Sequence, residues 1–413
     1  MTIKQLYPAQ RPALDLNFAV QKRLDPRVTF TRGSTATYVG NDGLIKYAVD
    51  NEPRFDHDPV TGESLGLLIE EERTNNFLYS EEFNDAFWSS GGLISGTVNI
   101  AANQTTSPDG TTTADLMTAS SVTDEFCVGT AFRTTLSAST TYTFSVFVKP
   151  KELSRIALAY WDSGYGYTTL CFFNSSTGTF YYVRSGVTTS AQLLSNGWYK
   201  ISATFTVSPF GGHSLTIAIA NPDNTTSSLV FDGTPYTGQG LYIWGAQLEE
   251  GAFPTSYIPT TSSTVTRAAD AASMTGSNFS SWYNQSEGTI YSESYEAQGA
   301  SLRTNYLIKS GDSLTRIQEV SNRFYIGASF VDLPSSSVPG QKYKVAFGLG
   351  NQPQTASSGG QPVVSLNLPI SQEIDTLGLG EMTVGGIFGT GHLSRLTYYP
   401  TRLSDTILQN LTL

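Results

Sequence analysis

The stretch TYTFSVFVKP, residues 141–150, decides the fold class because its apolar and polar side chains alternate. Phe144, Val146 and Val148 fall on one face of an extended strand, and Tyr142 continues that face toward the N-terminus. One apolar face is typical of an antiparallel strand whose sheet packs on a second sheet. The chain around this stretch is therefore expected to form a β-sandwich.

Comparable runs follow toward the C-terminus, and polar turns such as Ser-Asn-Gly at 195–197 separate them. They are RIALAYWD (155–162), YTTLCFFN (167–174), TFYYVR (179–184), WYKISATFTV (198–207), LTIAIANP (215–222) and LYIWGAQLE (241–249). Short strands at this spacing are typical of an all-β sandwich or jelly roll. We place this first domain at residues 76–260.

A second β-rich unit is expected over residues 276–413, from GTIYSESY at 288–295 to GHLSRLTYYP at 391–400. Residues 261–275 are rich in Ser, Thr and Ala, and we interpret them as an extended linker. The unit is expected to end in one short helix, because Ser404 is a good N-cap and an apolar stripe follows it. The stripe consists of Ile407, Leu408 and Leu411.

The first 75 residues contain 20 of the 59 charged residues of the chain. Prolines at 8, 12, 26, 53 and 59 interrupt regular structure there. We expect an extended segment without a sizeable core of its own, which gains order by lying on a neighbouring domain or on a partner protein. The side chains expected to be buried in that contact are Leu14, Leu16, Phe18, Val28 and Phe30.

The net charge of −11 and the pI near 4.8 argue against a nucleic-acid partner, because no basic stripe is present to neutralise phosphates. No stretch reaches the roughly 18 apolar residues of a membrane-spanning helix, and the N-terminus lacks the apolar core of a signal peptide. We therefore expect folding in a cytoplasm and no insertion into a membrane. Cys127 and Cys171 lie in apolar runs and are expected to be buried free thiols.

The inventory of catalytic residues favours a protein that is not an enzyme. His57, His213 and His392 lie in three different regions and lack the spacing of a triad or a metal site. A polysaccharide-degrading site needs two carboxylates, but each candidate adjoins turn residues. We interpret these candidates as turn-forming aspartates: Asp162, Asp223 and Asp232. The run Asp56-His57-Asp58 is likewise interpreted as a solvated turn rather than a metal cluster.

Several long phrases resemble proteins of bacteriophage particles. The run over residues 14–75, which begins LDLNFAVQKRLDPRVTFTRGSTATYV and ends SLGLLIEEERTN, resembles the opening of phage head-spike (head-fibre) and tail-fibre-like proteins. NNFLYSEEFNDAFW at 75–88 and GLYIWGAQLEEGAFPTSYIP at 240–259 look like the start and the closing strand of the jelly roll that often follows in such proteins. GHLSRLTYYPTRLSDTILQNLT at 391–412 resembles the final strand and helix of a concanavalin-like (laminin-G-like) sandwich.

The jelly roll is also similar to carbohydrate-binding modules of the galactose-binding type. The resemblance implies a structural calcium between the first and last strands, and no other cofactor is expected. The matching positions are Glu82, Phe83 and Asn84, facing Gln247 and Glu249.

A glycan site is expected in the stretch from Tyr160 to Tyr167, whose glycines indicate an exposed loop. Sugars present apolar faces to aromatic rings while polar groups orient them. The candidate residues are Trp161, Asp162, Tyr165 and Tyr167. The alternative is that these rings pack across the sandwich or into a subunit interface.

The resemblance implies a structural protein of the virion, either a head spike or fibre or a capsid-decorating protein, possessing an N-terminal attachment segment over residues 1–75. The expected partners are phage capsid or tail proteins, a homotrimer of this chain and host-surface glycan. A tail fibre or tail-associated adhesin is the alternative, and a glycan-degrading tail enzyme is a third. Removal of residues 1–70 is expected to leave a folded remainder.

Overall fold

The computed structural model describes residues 10–88, 98–130, 136–164, 166–222, 229–296, 305–308, 316–320, 323–326, 329–338, 340–350, 353–367, 373–379 and 390–413. About 50% of the chain is strand and 5% is helix, and the strands pair antiparallel, so the all-β prediction is confirmed. Within these ranges no helix is long and apolar enough to cross a membrane.

The N-terminal segment is divided into short elements rather than running as one extended chain. Its elements are β1 (Leu14–Asn17), α1 (Phe18–Gln21), β2 (Thr29–Thr31), β3 (Ala36–Val39), β4 (Ile45–Ala48), β5 (Arg54–His57), β6 (Ser64–Ile69) and β7 (Arg73–Asn75). Strands β3 and β4 form a hairpin, and β5 pairs with β6. Strands β1, β2, β6 and β7 pair with strands far along the chain.

The jelly roll consists of two six-stranded sheets. Its strands are β8 (Val98–Thr105), β9 (Ala114–Ala119), β10 (Thr123–Gly129), β11 (Thr141–Pro150), β12 (Arg155–Asp162), β13 (Gly166–Asn174), β14 (Thr179–Val183), β15 (Thr188–Leu193), β16 (Tyr199–Thr206), β17 (His213–Ile219), β18 (Val230–Asp232) and β19 (Gly240–Glu250). The sheets run β15-β16-β11-β19-β9-β8 and β14-β13-β12-β17-β10-β18. Phe144, Val146 and Val148 of β11 are buried in the shared core, as their alternation predicts.

The other face of β11 is buried as well, which the alternation did not indicate. Phe147 packs there with Trp198, Trp244 and Ile45, the last from the β3–β4 hairpin. Ile45 N donates to Pro108 O at 2.9 Å, so the hairpin is also tied to the jelly roll through its backbone. The N-terminal segment therefore covers the outer face of one jelly-roll sheet.

The C-terminal sandwich follows. Its elements are β20 (Val265–Arg267), β21 (Ala271–Thr275), α2 (Ser277–Ser280), β22 (Gly288–Glu296), β23 (Asn305–Ile308), β24 (Arg316–Val320), β25 (Arg323–Ile326), β26 (Ser329–Asp332), β27 (Lys342–Leu349), β28 (Gln354–Ser358), β29 (Val364–Leu366), β30 (Thr376–Leu379), β31 (Gly391–Tyr399) and α3 (Asp405–Leu411). One sheet runs β29-β28-β27-β22-β31-β6-β5, with β1 also paired to β31, and the other runs β2-β21-β30-β23-β24-β25-β26.

Four N-terminal strands thus complete the C-terminal sandwich. Strand β31 pairs with β22 along one edge, and with β1 and β6 along the other. Leu14, Leu16 and Phe18 are each 1% exposed in the core of this sandwich. Of the two contacts expected for the segment, the structure shows the one with a neighbouring domain. These three side chains have no apolar surface left for another protein, whereas Val28 and Phe30 pack at the edge of the same core, partly exposed.

The C-terminal helix is confirmed. It begins at Asp405, directly after Ser404 in the N-cap position. Leu408 is fully buried, and Ile407 and Leu411 pack beside it against the outer face of the larger sheet. The predicted apolar stripe therefore faces the domain.

Candidate functional site

A cleft of about 440 Å³ lies where the N-terminal segment, the jelly roll and the C-terminal sandwich meet. Its walls come from β3, β5 and β6, from the edge strand β15 and its neighbour β16, from residues 254–257, and from the ends of β22 and β31. Ligand sites of about 300–1,000 Å³ concentrate at such domain interfaces. We treat this interdomain cleft as the candidate functional site.

Five buried charged side chains lie beside the cleft, and we call them the buried charge cluster: Arg32, Arg54, Glu70, Arg267 and Asp270. Arg54 is central, because its guanidinium lies 2.7 Å from Glu70 Oε2 and 2.5 Å from Asp270 Oδ2. Arg32 pairs with the other oxygen of Asp270 at 3.1 Å, and Arg267 lies 3.5 Å from Glu70. The cluster therefore joins the N-terminal segment to the stretch that leads into the C-terminal sandwich.

The charges of this cluster stabilise one another. Burial alone would raise the pKa of Glu70, but Arg267 and Arg54 hold that pKa well below its ordinary value. Burial acts to lower the pKa of Arg54, but Glu70 and Asp270 raise it above its ordinary value. Ser256 also donates its N–H and its hydroxyl to the Glu70 carboxylate, at 2.7 and 2.6 Å. Glu70 is therefore ionised, with both of its oxygens engaged.

Lys200, from β16, is a cation that lines the cleft itself. Its ammonium donates to Thr255 O at 2.5 Å and lies 5.7 Å from the centre of the Phe147 ring. Burial lowers the pKa of Lys200, and the charges of Glu249 and Glu70 oppose that shift. In the part of the chain that the structure describes, no carboxylate lies within ion-pair distance of this ammonium.

A carboxylate–imidazole pair also lines the cleft. Asp56 Oδ2 lies 2.7 Å from His392 Nε2, and Asp56 Oδ1 accepts from Val39 N at 2.6 Å. Asp56 is only 8% exposed, and its two contacts fix the orientation of the carboxylate. The pair also connects the N-terminal segment to the start of strand β31.

The interpretation of Asp56-His57-Asp58 as a solvated turn is wrong for its first two residues. Asp56 and His57 are buried because β5 is part of a sheet and lies against β3. Only Asp58 forms a turn, where one carboxylate oxygen accepts from Val60 N and Thr61 N at 2.9 and 2.7 Å.

Two half-buried tyrosine rings, Tyr38 and Tyr295, contribute aromatic surface to the cleft. Lys342 Nζ lies 5.6 Å from the centre of the Tyr295 ring. Burial raises the pKa of both phenols, so their hydroxyls remain protonated donors at neutral pH. Aromatic rings beside carboxylate acceptors are the kind of surface that sugars bind.

The glycan-binding residues predicted from the sequence lie away from the cleft, at the β12–β13 hairpin. Asp162 is 1% exposed and accepts from Gly164 N at 2.8 Å, as expected of a turn-forming aspartate. Trp161 is half-buried, and Tyr167 packs inward against a small apolar cluster. Tyr165 and Asp223 lie outside the described residues. Asp232 accepts from Thr234 N at 2.9 Å, again in a turn.

The predicted calcium ligands do not form a cage. Glu82 and Asn84 are exposed, whereas Glu249 is fully buried and accepts from the N–H and the hydroxyl of Thr255. Over the described ranges, no group of three or more His, Cys, Asp or Glu residues is placed to hold a metal ion. Calcium needs six to eight oxygen ligands, so the residues present do not fit this ion.

Near Phe83 the structure instead places a buried carboxylate, Asp115, which accepts from Phe83 N and Asn103 N at 2.9 and 3.0 Å. Burial raises the pKa of Asp115 to about 6, against the opposing effect of these two N–H groups. An aspartate in an unfolded chain titrates near pH 3.9. The folded protein thus holds this proton more tightly, and we expect its stability to fall as the pH rises from about 4 to about 6.

Urea unfolding at a series of pH values would test this expectation. The Asp115→Asn variant should lose this part of the pH dependence, because it removes the titrating group. If the free energy of unfolding of the variant changes with pH as steeply as that of the original protein, another group is responsible.

Sequence reasoning missed the cleft because its residues are far apart along the chain: Tyr38, Asp56, Lys200, Tyr295 and His392. One signal was present, namely a lysine inside the apolar run 198–207. A charged residue in such a run must be paired, or must reach a wet surface.

No protein-family model and no curated protein matches the chain. Solved structures do match, among them domain 4 of an extracellular arabinanase from Geobacillus stearothermophilus in complex with arabinotriose. That match has 12% identity over 40% of this chain and 83% of the arabinanase domain, with a TM-score of 0.27. A Trypanosoma rangeli sialidase in complex with the inhibitor DANA has 11% identity over 73% of this chain and 60% of its own, with a TM-score of 0.27. Mouse laminin α1 domains LG4-5 have 8% identity over 82% of this chain and 91% of their own, with a TM-score of 0.23.

These neighbours thus include a laminin G-domain pair beside an arabinanase domain and a sialidase. They contradict the prediction that the chain is not an enzyme, because they include glycoside hydrolases, and we withdraw that prediction. At such low identities and TM-scores, the likeness carries no argument about activity or ligand.

Proposed function

We propose that this chain is a carbohydrate-binding protein of a bacteriophage particle, and that it holds host-surface glycan in the interdomain cleft. The lining of that cleft carries the proposal. Tyr38 and Tyr295 offer ring surface, and Asp56 offers an oriented carboxylate acceptor, within about 440 Å³. A sugar needs this combination, because its C–H faces are apolar and its hydroxyls require partners.

The cleft is suited to specific binding because its walls are held in place before a ligand arrives. The buried charge cluster and the Asp56–His392 pair tie the N-terminal segment to the C-terminal sandwich, and the hydrogen bonds from Ser256 to Glu70 tie it to the jelly roll. Preorganised walls reduce the entropy that binding would otherwise cost. Ser190 and Gln192 of the edge strand β15 add further polar groups to the lining.

A second groove, of about 1010 Å³, shares Tyr38 and Ile45 with the cleft. Its lining includes Tyr47, whose ring is 49% exposed and whose hydroxyl lies 3.5 Å from Asp109 Oδ2. Because the two grooves share part of their lining, a glycan longer than one or two sugars would have surface to continue on. This favours a polymeric glycan over a free monosaccharide as the ligand.

The placement on a phage particle rests on the resemblance of residues 14–39 and 240–259 to virion proteins. In this proposal the partners are capsid or tail proteins and two further copies of the chain. Leu14, Leu16 and Phe18 are buried within the chain itself, so the contact with the particle would use other surface.

The experiment is to measure binding of the full-length protein to oligosaccharides from host surface polysaccharide by calorimetry. Tyr295→Ala should weaken binding about tenfold, which corresponds to about 1.4 kcal/mol. Phe210→Ala is the matched control, because that ring is 42% exposed and lies over Gly164 at the β12–β13 hairpin, outside the cleft.

Loss of binding in Trp161→Ala or Phe210→Ala with normal binding in Tyr295→Ala would move the site to the hairpin. Binding to none of the host polysaccharides would contradict the proposed function. Release of shorter sugars from the polysaccharide would show that the protein is a glycan-degrading enzyme. The placement on a phage particle is tested by labelling purified particles with an antibody to this chain and viewing them by electron microscopy. If neither heads nor tails are labelled, the placement is wrong.

A further inference from the structure

Lys200 is a cation of the cleft lining that pairs with no carboxylate among the described residues. The arginines beside the cleft, Arg32, Arg54 and Arg267, each pair with Glu70 or Asp270. Asp56, which also lines the cleft, contacts His392 instead. The Lys200 ammonium is therefore left without a counter-charge in direct contact.

The two carboxylates whose charges act on Lys200 already have other partners. Glu249 accepts from Thr255, and Glu70 accepts from Arg54 and Ser256. The Lys200 ammonium has one protein acceptor among the described residues, Thr255 O, although an ammonium carries three donors. The Phe147 ring lies on another side of the ammonium, with its centre 5.7 Å away, and offers no counter-charge.

An incompletely paired ammonium in such a position is unfavourable, because removing a charge from water costs free energy unless a counter-charge replaces the lost hydration. A bound anion would supply that counter-charge and accept the remaining N–H donors. Such hydrogen bonds between ionised partners are among the strongest that proteins form.

The rest of the lining restricts which anion fits. Asp56, Asp58 and Glu70 also line the cleft, and they would repel a doubly charged group such as phosphate. Asp56 and Asp58 would accept hydrogen bonds from hydroxyls on the same ligand. A molecule that places one carboxylate at Lys200 and its hydroxyls toward these acceptors satisfies both requirements.

We propose that the glycan bound in the cleft contains a sugar acid, whose carboxylate forms an ion pair with Lys200 Nζ. This inference rests on the proposed carbohydrate-binding function and names the class of sugar that it would select. Lys200 is then the residue that discriminates acidic from neutral glycans.

The test uses the full-length protein and oligosaccharides containing glucuronic, galacturonic or sialic acid, each beside the same oligosaccharide with its carboxylates reduced to alcohols. Neutral oligosaccharides complete the set. We expect at least one acidic oligosaccharide to bind, and to lose about thirtyfold or more in affinity on carboxyl reduction. This comparison needs no variant, so it does not depend on how a mutant folds.

Lys200→Met should cause a similar loss for the acidic oligosaccharide and leave its reduced form unaffected. Lys149→Met is the matched control, since it removes the same charge from the neighbouring strand β11 outside the cleft lining. Equal affinity for the acidic and reduced forms would overturn this inference. If only neutral oligosaccharides bind, and do so in a Tyr295-dependent way, the inference fails while the proposed function stands. If nothing binds, both fail.

Discussion

A chain that begins at residue 76 is expected to lose the C-terminal sandwich and to keep the jelly roll. Five apolar side chains from the missing segment are buried in the core of that sandwich: Leu14, Leu16, Phe18, Leu67 and Ile69. Each contributes about 1.5–3 kcal/mol by burial, and a domain is stable by only about 5–15 kcal/mol. The truncation would also remove both partners from one edge of β31 and leave Asp270 buried without Arg32 and Arg54.

Limited proteolysis with mass spectrometry would show the outcome. We expect fragments within residues 76–260 to resist cleavage and residues 276–413 to be digested. Supplying residues 1–75 as a separate chain during expression is the control, and it should restore protection if the strands can pair in trans. A protected fragment of residues 276–413 from the truncated chain alone would contradict the interpretation and agree with the expectation from the sequence.

The second large effect is expected from Arg54→Met, which should lower the free energy of unfolding by about 3–5 kcal/mol. Arg54 is fully buried, and its loss leaves the Glu70 and Asp270 carboxylates without their shared cation. Methionine fills much of the same volume as arginine, so little cavity is created. The decrease in the free energy of unfolding therefore reflects the lost charge and hydrogen bonds. Urea unfolding of the full-length protein measures it.

Arg395→Met is the matched control. Arg395 also pairs with the N-terminal segment, through Asp15 at 2.8 Å, but the two side chains are 34% and 38% exposed. Solvent screens such a pair, and its loss should cost at most about 1 kcal/mol. Similar losses for the two variants would mean that the buried charge cluster does not hold the parts of the chain together.

The sequence predicts the sandwiches well, because the alternation of apolar and polar residues along a strand indicates which of its faces is buried. Val146 is an example, since its burial follows from its position in the run 141–150. Phe147 is a counterexample, because its burial depends on a hairpin formed about a hundred residues earlier in the chain. No local pattern contains that information.

The same limit applies to the site. Aromatic residues at the β12–β13 hairpin were conspicuous in the sequence, yet the structure buries Asp162 and packs Tyr167 inward. Lys200 and His392 attract little notice in the sequence, and they become neighbours of the same cleft only through tertiary packing. The charged N-terminal segment likewise contributes three buried charges, Arg32, Arg54 and Glu70, whose partners no local pattern indicates.

The pairing of β1 with β31 has a consequence for biosynthesis. Leu14 emerges from the ribosome about 380 residues before its partner Tyr398. At about 5–20 residues per second, the first strand waits roughly 20 to 80 seconds for its place in the sheet. During that time the jelly roll can fold, while Leu14, Leu16 and Phe18 stay exposed to chaperones or to the same segment of a neighbouring nascent chain. Yield in the cell would then depend on translation speed and chaperone supply as well as on the stability of the finished fold.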